Sequence, residues 1–204
     1  MLAVYQLPIT VDLGQFCRPE VLVKGVSHFA PHNVSAGASA TLLDERLFLT
    51  FDVSWEHWSA APPLVADMSI ALQIPLVLLA YNGDVLSRPI DMGFLDTVTP
   101  RAGVEFKVVP RVALRAGYGL RPSPVPPQSG RTNFLDATTH LLTLGGGYTF
   151  DDPLKMAKGL ALDVGAQLAV LAASNVIKEG PNPNPDYRFG GANLTLTVGA
   201  RYEF

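Results

Sequence analysis

The side chains able to do chemistry are few and scattered. His140 follows Asp136 by four residues, with Ser123 and Ser129 upstream, so a Ser-His-Asp relay is the first reaction to weigh. Such a relay needs nucleophile, base and orienting carboxylate at one point, whereas the strand alternation described below puts His140 on an apolar face near a loop end. His28 and His32 have the i, i+4 spacing of a helical zinc site, but Pro31 and an extended setting remove the helix on which that spacing depends. Cys17 is the single cysteine, with no disulfide partner and no Cys/His ligand set, and reads as a small buried or half-buried side chain. Gly145-Gly146-Gly147 precedes no helix and so makes no phosphate loop; within a strand, small residues there relieve crowding. Asp151-Asp152 reads as a solvated turn. Neither a metal site nor a cofactor is signalled, and the reading is of a protein that is not an enzyme.

The more informative chemistry is charge set in the middle of strands: Arg101, Glu105, Lys107, Arg115 and Asp163. Each falls in a segment of strict period-two alternation. At the C-terminus Leu194, Leu196, Val198, Ala200, Tyr202 and Phe204 share one face, opposed by Asn193, Thr195, Thr197, Gly199, Arg201 and Glu203. Leu160 to Val170 repeats the pattern against Asp163, Gly165 and Gln167, and so do Leu142 to Phe150, Val112 to Tyr118, Val98 to Phe106 and Leu47 to Trp55. Val34 to Leu43 is a weaker case, and Val21 to Phe29 is a further candidate, for about eight strands in all. Ala60 to Leu79 carries Pro62, Pro63 and Pro75 and reads as the upper part of a long, broken strand.

Composition agrees with strands and turns. The 204 residues include 18 Gly and 17 Pro, and a formal net charge of −3 offers no basic surface for nucleic acid. The longest apolar run, Met68 to Tyr81, is too short for a membrane helix and contains Gln73 and Pro75. Met1 to Gln15 lacks a basic n-region and has Pro8 and Asp12 where a signal peptide's apolar core would be. An exported barrel needs such a signal, so residues 1–204 are expected to be one domain from a longer protein, with the signal peptide and earlier strands before Met1.

Connections alternate in length. Leu43-Asp44-Glu45, Val108-Val109-Pro110 and Asp151 to Gly159 are short, whereas Leu76 to Leu95, Arg121 to Ala137 and Ser174 to Gly190 are long and rich in Pro, Gly and Asn. Placing Phe204 at the periplasmic end makes every short link periplasmic and every long one extracellular, the asymmetry of transmembrane barrels. Alternation alone does not separate a membrane barrel from a soluble one. The decision rests on mid-strand charge with glycine on one face, which suits a wet lumen, and aromatics such as Trp55, Trp58, Tyr118, Tyr148 and Phe150 on the other, which suit interfacial girdles. The expected fold is therefore all-β, an antiparallel transmembrane β-barrel in the cell outer membrane, with lipid as a partner. Gly199, Tyr202 and the terminal Phe204 resemble the signal read by the barrel assembly machinery, with Thr197 a departure at its upstream polar position.

One segment is more specific. Pro100 to Asp136, with its run RVALRAGYGLRPSPVPPQSGRTNFLD, resembles the late extracellular loop region of the FadL-type outer-membrane transporters, in which an up-going strand enters an SPVP motif, here Ser123 to Pro126. Phe51 to Ser59 is similar to that family's strand ending in Trp-Ser, and Glu179-Gly180-Pro181 falls in its last loop. The resemblance covers roughly residues 20 to 204 and implies a monomeric barrel of about 14 strands, an even number in the range such barrels use. It also implies uptake of long-chain fatty acids or other hydrophobic small molecules. Such transport needs an apolar groove for the acyl chain and polar groups to orient the carboxylate, for which Arg101, Lys107 and Arg115, with Glu105, are the lumen candidates. Their alternative role is to pair with Glu105 and neighbouring carboxylates in a packed polar interior. The rival functions are a structural or surface-binding barrel acting through its long loops, and a barrel lipase.

Overall fold

The computed structural model describes residues 2–10, 18–63, 65–73, 82–86, 92–130, 132–151, 159–181 and 184–202; Cys17, Asp152 and Phe204 lie outside them. These residues form eleven strands and no α-helix: β1 (Leu2–Thr10), β2 (Arg18–Phe29), β3 (Asn33–Leu42), β4 (Leu47–Glu56), β5 (Val65–Gln73), β6 (Asn82–Leu86), β7 (Thr97–Val109), β8 (Val112–Arg121), β9 (Thr139–Phe150), β10 (Leu160–Val176) and β11 (Tyr187–Tyr202). The chain divides into two compact units, Met1–His32 with His57–Phe94, and Asn33–Glu56 with Leu95–Phe204.

The larger unit is a seven-stranded sheet in the order β11-β10-β9-β8-β7-β4-β3, antiparallel at every pair. Its last five strands form a meander, because short or looped links return each strand beside its predecessor. Pro100 is in β7, where it faces Val53 of β4, and the β7–β8 ladder stops one residue later at Arg101↔Gly119. A proline there removes no ladder donor, since its nitrogen meets no partner strand. Between Leu171 and Ser174 the β10–β11 ladder bulges over Gly190, whose φ of 155° and approach to Ala173, 2.9 Å from a would-be Cβ, admit only glycine.

The turn from β3 to β4 is tight. Leu43, Asp44 and Glu45 all adopt left-handed backbone, at about 1–2 kcal/mol each for residues with a Cβ. Closure is supported by the Arg46 amide, which donates to Leu43 O at 3.1 Å. The Arg46 guanidinium also reaches Lys107 O at 3.3 Å and Val108 O at 2.7 Å, joining this turn to the one between β7 and β8.

This sheet has no conventional core. Of the large apolar side chains on one face, Leu144 is 69% exposed, Leu196 72% and Val198 84%. Water would make such a face unstable and sticky, whereas lipid is the solvent it matches. What burial there is collects at the loop end, where Thr97, Thr99, Gln128, Ala137, Thr139 and Val176 are buried.

The smaller unit is a four-stranded sheet in the order β1-β2-β5-β6, also antiparallel. It carries a 3₁₀ turn at Trp58–Ala60, and Trp58 stands edge-on to both Phe29 and Phe94. Eleven strands exceed the expected eight: β1 is additional, β5 lies in the stretch read as a broken strand, and β6 runs through Asn82–Leu86, inside the stretch read as the loop Leu76 to Leu95. The region from Ala60 is indeed interrupted, by the 3₁₀ turn and Pro62-Pro63, before β5 resumes at Val65.

Candidate functional site

Two places in the larger unit gather polar side chains, and the first is the polar face of its sheet. Cross-strand register brings unlike charges opposite one another there. Asp52 faces Arg101, and their side chains pair at 3.1 Å; Glu105 faces Arg115, and theirs pair at 2.6 Å. Arg115 also extends across β9 to Asp163 on β10, at 2.5 Å. That crossing explains the triple glycine. Arg115 lies opposite Gly145 and Asp163 opposite Gly147, and a Cβ at Gly147 would collide with the Asp163 carboxylate. Gly146 points the other way, beside Leu114. Elsewhere on this face threonine hydroxyls lie over glycines, Thr50 on Gly103, Thr143 on Gly117 and Thr197 on Gly165. The expected lumen candidates are thus on one face but are not equivalent. Arg101 and Arg115 are engaged by carboxylates, as is Glu105 by Arg115, whereas the exposed Lys107 side chain has no ionic partner among the described residues. Lys107 lines a small cleft with Glu105, Arg115, Asp163 and Arg201.

The second place is the loop end. Asp136 accepts from Arg121 at 2.8 Å and from Ser123 at 3.0 Å, and Ser123 Oγ in turn accepts from the Val125 amide, so the SPVP motif opens on a side-chain-closed turn. Gln128 spans its own loop, donating to Pro126 O and accepting from the Phe134 amide. Lys178, beside the EGP motif, sends its ammonium into the carbonyls of Gln128 at 2.6 Å, Gly130 at 2.9 Å and Thr132 at 2.7 Å, with the Tyr187 ring 5.4 Å away. The Glu179 amide adds a bond to Ser129 O, so the EGP motif is fastened to the loop just beyond SPVP. A cleft of about 410 Å³ remains between this loop and the adjoining ends of β10 and β11, lined by Val125, Phe134, Asn175, Ile177 and Phe189 among others. Sequence reasoning missed Lys178 as a fastener, since one lysine in a loop carries no spacing signal.

The hydrolytic relay does not assemble. Ser123 bonds Asp136 directly, and His140 Nδ1 instead pairs with the Tyr118 hydroxyl at 2.8 Å on the apolar face. His28 and His32 fall in or just after strand β2, and no cluster of metal-ligating side chains occurs among the described residues. Of the proposed assembly signal, Gly199 and Tyr202 are in β11, opposite Asp163 and Leu160. No helix among the described residues is long and apolar enough to cross a membrane.

Comparison with known proteins agrees with this geometry. No curated protein matches the sequence. Among solved structures, a crystal structure of a Pseudomonas aeruginosa FadL homologue superposes with a TM-score of 0.51 at 17% identity. The match covers 90% of this chain but 36% of that one, so the chain spans about a third of the length of that relative. The family profile described as outer membrane protein transport protein (OMPP1/FadL/TodX) matches residues 29–204. That match spans most of the sequence and accords with a two-faced antiparallel sheet, and the chain belongs to this family of outer-membrane β-barrel proteins.

Proposed function

We propose that this chain forms part of the wall of a monomeric outer-membrane barrel that takes up hydrophobic small molecules, long-chain fatty acids foremost. The short turns lie on the periplasmic side and the long loops outside. The observation that carries this reading is the family match combined with a sheet whose polar face bears charge in mid-strand. An acyl chain entering such a barrel must be held by its carboxylate as well as by its tail. Lys107 is the favoured partner for that carboxylate, because Arg101 and Arg115 already have carboxylates of their own and capture by them would require breaking an ion pair. Gly199, Tyr202 and Phe204 serve recognition by the assembly machinery.

The test is uptake of radiolabelled oleate by a Gram-negative host lacking its own fatty-acid transporter and expressing the full-length protein. Uptake well above the empty-vector level is expected. Lys107→Gln is expected to lower it about fivefold, roughly the worth of one near-surface charge contact, at an unchanged level of folded protein. Folded full-length protein that gives vector-level oleate uptake would contradict the fatty-acid reading, and toluene uptake by the same cells would then redirect it to aromatic hydrocarbons.

A further inference from the structure

The apolar face of the larger unit carries a groove of about 690 Å³ running over β3, β4, β7 and β8. Its floor is alanine, Ala38 and Ala40, Ala102, and Ala116, and its walls are Leu49, Phe51, Val104 and Tyr118. Register explains the shape. Ala40, Leu49, Val104 and Ala116 form one cross-strand row, and Ala38, Phe51, Ala102 and Tyr118 form the next, so each row sets alanines beside bulkier side chains.

A second feature lies at the turn end of the same face. The Arg46 guanidinium stands 5.9 Å from the centre of the Phe106 ring, and Phe106 follows Ala102 and Val104 on the apolar side. Two of its N–H groups are held by Lys107 O and Val108 O, and no carboxylate engages it among the described residues. This cation is held by the two carbonyls, is exposed, and has three further N–H donors beyond those two bonds. From Phe106 to Ala102 is four strand residues, about 13 Å at strand rise. At the usual tilt of such strands this is about 10 Å of depth, within one leaflet's hydrocarbon of about 15 Å.

We propose that Arg46 and this groove together bind one phospholipid of the periplasmic leaflet. Its phosphate sits on the Arg46 guanidinium and one acyl chain lies in the alanine-floored groove up to Tyr118. Charge complementarity selects this occupant: a second copy of the chain or a neutral detergent would fill the groove but leave the oriented cation unanswered. The proposal is independent of what the barrel transports.

The test is native mass spectrometry of the full-length protein in detergent, titrated with palmitoyl-oleoyl phosphatidylglycerol, with heat-modifiable gel mobility reporting folding. Wild type is expected to show one tightly held lipid ahead of weaker adducts. Arg46→Ala should weaken that first binding about tenfold, Arg46→Lys less, and Ala102→Phe, which fills the floor, by a similar factor to Arg46→Ala; Leu196→Phe on β11 should leave it unchanged. First-lipid binding that survives both Arg46→Ala and Ala102→Phe in folded protein would overturn the proposal. Sensitivity to Ala102→Phe alone, shared by a neutral octyl ether detergent, would also overturn it, making the groove a general slot for alkyl chains. If Arg46→Ala does not fold, Arg46→Lys and Ala102→Phe carry the test.

Discussion

Gly147 lies where the Arg115 side chain spans from β8 to Asp163 on β10, and the absence of a Cβ is what lets those charges meet. Gly147→Ala is expected to lower stability by about 1–3 kcal/mol, the usual penalty for overpacking, because either the Asp163 carboxylate or the strand has to move. Gly191→Ala, with open space around its Cβ position, should change stability by less than about 0.5 kcal/mol. Urea titration of protein refolded into lipid vesicles, followed by tryptophan fluorescence, compares the two. Equal effects would show that the glycine is not there for the ion network. The individual charges of that network were legible in the sequence, since alternation placed Arg101, Glu105, Arg115 and Asp163 on polar faces. Their partnerships were not, because which residue of one strand lies opposite which of the next is set by turns and bulges rather than by either strand's own pattern. The same limit hid Arg46, whose side chain acts across two turns 61 residues apart in sequence.

At the scale of the element, each strand of the larger sheet has one wall for lipid and one for water, and β11 gives the sharpest contrast. Leu196→Arg is expected to destabilise by about 2–4 kcal/mol, as a charge near the middle of a lipid-facing strand does, whereas Thr195→Arg on the other face should cost less than about 1 kcal/mol. The same vesicle unfolding measurement decides, and similar losses at both positions would mean that the two faces do not differ in solvent. The loop from Arg121 to Thr139 is a different kind of element, closed by its own side chains and fastened by Lys178. Lys178→Met should release residues 128 to 132, since hydrogen bonds to a charged donor contribute about 1.5–3 kcal/mol where they are partly shielded. Protease added to intact cells is then expected to cut this loop more than about tenfold faster than in wild type. An unchanged rate would show that the Lys178 contacts do not hold the loop closed. Strands β8 to β11 were legible because each carries a long run of alternation, longest in β10 and β11. The strand β6 was not, because its five residues open on Asn82-Gly83-Asp84, which is turn chemistry in any local reading. The nine-residue β1 carries Pro8, which argues against a strand in any local reading.

For the molecule as a whole, the account depends on what surrounds the seven-stranded sheet. Within the described residues β3 and β11 are its edges, β3 exposed throughout and β11 from Gly190 to Arg201, as expected of strands that pair further in a closed barrel. Membership of the transporter family was legible from the SPVP and EGP motifs and from alternation, but not the fastening of the loop beyond SPVP by Lys178, which only the folded chain displays. The measurement that tests the central claim most directly is solvent accessibility along β11 in the full-length protein in lipid vesicles. Single cysteines at positions 194 to 198, in a Cys17→Ser background, are exposed to a charged, water-soluble thiol reagent. Thr195→Cys and Thr197→Cys are expected to react while Leu194→Cys, Leu196→Cys and Val198→Cys are protected by lipid. Uniform reaction at all five positions, or protection of the threonine positions instead, would contradict a strand with lipid on one side and a wet lumen on the other.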